Sequence, residues 1–177
     1  MKLNLRLCFS CFSIIFFIAS CAGSNQFRTY IKPGVSISRS EPIAVVPSRM
    51  GTEEALVLPD AIITELIGLG FNVIDRSSLA QRVREKGLDL SIIINEQEYF
   101  KLGKSTNINQ IVIVTSKLHE NYLVKNATVK VIRTKDGSII FSSTFSNPAP
   151  TNPSYINNLD MMEIVKLFAE SISSASH

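Results

Sequence analysis

The chain has 177 residues, 45% of them hydrophobic and 19% charged, which suits one globular domain preceded by a short leader. Its 18 basic and 15 acidic residues leave a net charge of +3, too little for the basic stripe of a nucleic-acid-binding protein. The three cysteines, Cys8, Cys11 and Cys21, all precede residue 22, so the rest of the chain can hold neither a disulfide nor a thiolate metal site.

In chain order, residues 1–20 read first, as an export signal. Lys2 and Arg6 precede an apolar run from Leu7 to Ala19 that ends on small residues. The run is shorter than the about 20 apolar residues of a membrane span. A buried N-terminal strand or helix is the alternative, and it leaves that order of features unexplained. Ile18-Ala19-Ser20-Cys21 resembles the bacterial lipobox: an aliphatic residue, two small residues and an obligatory cysteine. The resemblance implies cleavage before Cys21 and lipid attachment, of the palmitate class, to its thiol. No other cofactor is expected. Ala22 rather than Asp follows the cysteine, which favours the outer membrane, facing the periplasm. Loss of the leader removes Lys2 and Arg6 and leaves 16 basic residues against 15 acidic ones.

Residues 21–41 are polar, with a Pro33-Gly34 pair, and read as a lipid-anchored flexible tether. Residues 42–177 are expected to form a single periplasmic α/β domain. "IAVVP" (43–47) fits a buried strand. Leu58, Ile62, Leu66 and Leu69 follow helical spacing, with Pro59 expected in the first turn and Gly68 and Gly70 at the end. "FNVID" (71–75) is a second strand. "RSSLAQRVREKG" is a helix, with Ser78 and Gln81 as a capping box and Gly87 as its stop. "LDLSIII" leads to a capping pattern, Asn95-Glu96-Gln97-Glu98, that opens a short helix through Tyr99, Phe100 and Leu102. "QIVIVTSK" (110–117) is a strand rich in Ile and Val.

Residues 122–133 alternate in part and read as a strand. Asp136-Gly137 marks a hairpin, and "SIIFSSTF" (138–145) returns. "NPAPTNPS" (147–154) is a proline-rich loop. Met161, Val165, Phe168 and Ile172 recur at helical spacing in a last helix, from about Asp160 to Ser173. The order β-α-β-α-α-β-β-β-α predicts an α/β fold, a mixed sheet with helices packed on its faces.

That order, with "NVIDRSSL" (72–79) after Leu66 to Phe71 and the hairpin "VKVIRTKDGSIIFS" (129–142), is similar to the curli production assembly and transport family. This group of bacterial lipoproteins includes the curli secretion channel subunit, and the penicillin-binding-protein activator lipoproteins share a related domain. The likeness spans residues 42–146 and the lipobox. It implies a periplasmic core fold on a lipid anchor. The channel subunits add hairpins that together span the membrane, and a spanning strand needs about 9–11 residues. Ser48 to Thr52 and Leu118 to Asn121 are too short for such hairpins, so no transmembrane hairpins are expected.

Candidate chemistry is sparse. Asp75-Arg76 reads either as a ligand-binding pair at a strand end or, more plainly, as the start of a helix. Arg82, Arg84 and Lys86 give a basic helix surface, either a partner site or a solvated face. His119 and His177, the only histidines, have no second metal ligand at suitable spacing. The "SRMGTEE" loop (48–54) lacks the Gly-Lys-Ser/Thr ending of a phosphate loop. Tyr99 and Phe100 are partner anchors or core, with core favoured for at least one. No nucleophile elbow is present.

The expectation is a non-catalytic envelope lipoprotein that meets a protein of a cell-envelope machine, in cell-wall synthesis or surface-fibre secretion. The alternatives are an oligomeric subunit of a curli-type secretion complex, and a ligand-binding protein or enzyme with an unrecognised pocket.

Overall fold

The structure is a computed structural model that describes residues 26–48, 54–88, 96–118, 124–147 and 159–176. Its elements are β1 (Gln26–Ile31), β2 (Ile43–Pro47), α1 (Glu54–Gly68), β3 (Val73–Ile74), α2 (Arg76–Glu85), α3 (Glu96–Thr106), β4 (Gln110–Leu118), β5 (Val124–Arg133), β6 (Ser138–Ser146) and α4 (Met161–Ser174). The strands form one six-stranded mixed sheet in the order β1-β6-β5-β4-β2-β3. β2 runs parallel to β3 and β4, and the other pairings are antiparallel. Among the described residues no helix is long and apolar enough to cross a membrane.

Burial along the strands follows from what covers them. β2 is buried along its whole length, and so are the first five residues of β4, because helices pack on both faces there. On one face, Val45, Val112, Val114, Val129, Val131 and Phe145 meet Leu58, Ile62 and Leu66 of α1 and Val165, Phe168 and Ile172 of α4. On the other, Ala44, Val46, Ile111, Ile113 and Ile132 meet Leu79 and Val83 of α2 and Tyr99 and Leu102 of α3. From Thr115 onward β4 alternates between exposed and half-buried residues, and β5 and β6 place Thr128, Ser142 and Thr144 on the same uncovered face.

The sheet begins well before the expected domain start. Residues 26–31, expected as tether, pair with β6 in register from Gln26–Ser146 to Ile31–Phe141. Contacts at Phe27, Thr29 and Ile37 hold residues 26–37 to the domain. The Phe27 ring sits 5.0 Å from Phe168, Thr29 and Ser143 share a 2.9 Å hydroxyl contact, and Ile37 is 1% exposed with its N–H donating to the Ala175 carbonyl. Arg39 then closes the segment onto the domain. Its guanidinium donates to Ser173 and Ser176 at 2.7 Å and lies 5.4 Å from the Phe71 ring. Pro33-Gly34 is a turn inside the domain, with Gly34 at φ +72°.

Three local expectations also shift. α1 starts early enough to place Pro59 as its sixth residue, beyond the first turn. β3 shrinks to Val73–Ile74. The N-cap of α2 is Asp75, not Ser78: its carboxylate accepts from the Ser78 N–H at 2.9 Å, while Gln81 donates instead to Glu85. Gly87, at φ +67°, ends α2 as expected. α4 has a full capping box, with Asp160 accepting from Met162 N–H and Glu163 accepting from the Asp160 N–H. "LDLSIII" past Leu88, Asn95 and most of the two loops at 48–54 and 147–154 lie outside the described residues.

Candidate functional site

The sheet has two poles. At one, the carboxyl ends of β2 and β4 lie at the same end of the sheet as the start of β1, and Gln26, Ser146, Asn126 and Lys117 stand level across four strands. At the other, Gln110 opposes Arg133, which opposes Ser138. Here α3 turns into β4. Thr106 donates back to the Leu102 carbonyl at 2.8 Å, Asn107 takes the left-handed conformation at φ 56°, and Ile108 N–H donates to Gly103. The turn opens a groove of about 380 Å³ lined by Glu41, Gly103, Lys104, Asn107, Asn109, Arg133, Thr134 and Lys135.

The floor of this groove is a close approach. Thr134 donates to the Ile108 carbonyl at 2.5 Å, and its methyl lies over Gly103, where a Cβ would collide with it. Glu41 accepts from Gln110 Nε2 at 3.2 Å, and Gln110 Oε1 is buried without a partner. Arg133 donates Nε and a terminal nitrogen to the two oxygens of Asp136, at 3.2 and 2.5 Å. That guanidinium, then the Ser138 N–H and hydroxyl, holds the Asp136 carboxyl well below the usual carboxylate range, and Asp136 raises Arg133 in turn. With Arg133 so matched, Lys104 and Lys135 stand against Glu41. The arrangement is polar and mildly cationic. It can bind by charge and hydrogen bonds. Among the described residues no group of three or more His, Cys, Asp or Glu could hold a metal ion.

The residues singled out in the sequence fall elsewhere. Ile18, Ala19, Ser20 and Cys21 lie outside the described residues, as do His119 and His177. Arg82, Arg84 and Lys86 are all exposed near the end of α2, whose buried stripe is Leu79 and Val83. Helical geometry puts Arg82 and Lys86 on one flank of that stripe and Arg84 on the other. They do not form one patch. Asp75 serves as a helix cap. Its carboxyl is held below the usual range by the Ser77 hydroxyl first, then by the hydroxyl and N–H of Ser78. Arg76 pairs with Asp60 of α1 at 2.5 Å. Tyr99 is core, 1% exposed, and its hydroxyl donates to the Pro47 carbonyl. Phe100 is half-buried, with Lys104 6.0 Å from its ring. The groove escaped sequence reading because Glu41, Lys104 and Lys135 come from three separate segments with no common motif.

No family model matches the chain, and no curated protein matches it. Among solved structures, a PelC dodecamer from Paraburkholderia phytofirmans is similar at a TM-score of 0.49 and 11% identity, covering 87% of this chain and 99% of that one. Lipoprotein GNA1162 from Neisseria meningitidis is similar at 0.48 and 12% identity, covering 77% of this chain and 98% of that one. The C-terminal domain of LpoB from Escherichia coli reaches 0.50 at 12% identity, over 67% of this chain and 88% of that one. The chain thus has the fold of the LpoB C-terminal domain, in line with the lipoprotein resemblance read from "NVIDRSSL" and the late hairpin.

Proposed function

We propose that this chain is a lipid-anchored cell-envelope protein that presents a small, non-catalytic partner-binding domain to an envelope assembly machine, in cell-wall synthesis or surface-fibre secretion. The observation that carries the reading is the placement of Ile18-Ala19-Ser20-Cys21 directly ahead of a domain with the LpoB C-terminal fold. Acyl chains at Cys21 supply the attachment, at about 0.8 kcal/mol per buried CH₂. Confinement to one membrane raises the domain's effective concentration for partners fixed nearby. Ala22 after the cysteine points to the outer membrane, with the domain in the periplasm. The groove of Glu41, Lys104 and Lys135 is the partner surface, and its charge suits an acidic patch on the partner.

The test is Cys21→Ser. The variant is expected to accumulate as unprocessed, unacylated precursor and to be missing from the outer membrane. A variant that stays membrane-bound with no precursor accumulation contradicts the anchor.

A second reading, an oligomeric subunit of a curli-type secretion complex, draws on β1. It is an edge of the sheet among the described residues, with Tyr30 57% and Ile31 40% exposed, and an open edge is a template for a further strand. It predicts a ring-shaped assembly in detergent. A strictly monomeric mature protein counts against it.

A further inference from the structure

We propose that the Gln26 pole of the sheet rests on the lipid headgroups of the membrane that holds Cys21, with the groove facing away. This inference rests on the anchoring reading above. Its ground is a length. Gln26 is already part of the sheet, and it is the fifth residue after Cys21. A fully extended chain advances at most about 3.6 Å per residue, so the leash reaches about 18 Å. Gln26 stands level with Asn126, and β5 runs from Asn126 to Arg133, which lines the groove. Those seven steps of strand cover about 23 Å at about 3.3 Å each. With the groove end against the membrane, Gln26 would stand higher than the leash can reach. The anchor therefore fixes which pole faces the lipid.

Among the described residues the strand ends at that pole carry Lys117, Leu118, Lys125, Asn126, Ser146 and Asn147, and the helices that start there add Glu98, Asp160 and Glu163. Lys117 is exposed. Ser146 donates to the Asn126 side chain at 3.1 Å, and the Asn147 N–H donates to the Lys125 carbonyl, so the end is held as one surface.

The experiment uses the full lipoprotein, made with its leader and reconstituted into phosphatidylethanolamine–phosphatidylglycerol vesicles doped with a nickel-chelating lipid. Nitroxides are placed by Lys117→Cys or Asn126→Cys at the near pole and by Lys135→Cys at the groove. Mass spectrometry of each sample records acylation of Cys21. The expected result is acylated protein whose near-pole labels relax several-fold more strongly than the label at 135. A Gly-Ser spacer of about 20 residues after Ala22, spanning about 25 Å r.m.s., is expected to narrow that difference. Acylated protein in which the label at 135 relaxes as strongly as those at 117 and 126 overturns the inference and leaves the anchor standing. An unmodified Cys21 overturns both.

Discussion

Single residues decide this structure where space is tightest. Gly103 and Thr134 form the groove floor. A Cβ at 103 would come within 2.9 Å of the Thr134 Cβ and 3.0 Å of Ile111 Cδ1, and it would collide with the Thr134 methyl. Gly103→Ala is therefore expected to destabilise the fold by about 1–3 kcal/mol, as overpacking of a close contact does. Adding Thr134→Ser removes the methyl and keeps the hydroxyl that donates to Ile108, so the double variant should recover part of the loss in chemical denaturation. Tyr99 makes a second residue-scale prediction. Burial, then the charge of Glu98, pushes its phenol up to about 12, whereas an unfolded tyrosine ionises near about 10. Between those values the unfolded chain has lost a proton that the folded chain keeps, so rising pH favours unfolding. Tyr99→Phe should lower stability by about 1–3 kcal/mol at neutral pH, through loss of the bond to Pro47. It should also show a shallower decline from about pH 10 to 12. An unchanged alkaline slope would contradict the assignment to Tyr99.

At the scale of elements, legibility tracked pattern strength. β2 and the start of β4 announce themselves as continuous apolar runs because both faces are covered. α4 shows its buried face as Val165, Phe168 and Ile172 at helical spacing. The hairpin of β5 and β6 was visible in Asp136-Gly137, and Gly137 does adopt the left-handed conformation at φ +71°. β1 was not visible. It is an edge strand whose Arg28, Thr29 and Tyr30 are exposed, so its composition is that of a linker, and only Phe27 hints at a core contact. The cap of α2 is ambiguous in the sequence because Asp75 and Ser78 both suit the position, and only the backbone's turn from extended to helical at Asp75 chooses between them. A chain beginning at Pro42 would lack β1, the Ile37–Ala175 bond and the Arg39 contacts. It is expected to unfold at a markedly lower urea midpoint than a chain beginning at Gln26, with broadened or lost cooperativity. Equal midpoints and slopes would show that residues 26–41 add nothing to the fold.

At the scale of the molecule, the proposed anchoring at Cys21 would leave a leash of five residues before a two-poled sheet, and so would set an orientation. The fold class is legible in the sequence. The groove is not, because proximity of Glu41, Lys104 and Lys135 is created only by the turn from α3 into β4 and by the β5–β6 hairpin. The central claim is that the anchored domain offers this groove to a protein of an envelope assembly machine. The most direct measurement is in-cell photocrosslinking from a photoreactive residue at position 104 or 135, with products identified by mass spectrometry, in the acylated protein and in Cys21→Ser. The account predicts a discrete adduct with a component of cell-wall synthesis or surface-fibre secretion, strong from the groove and lost in Cys21→Ser. No groove-dependent adduct, or the same adduct without the anchor, would contradict it.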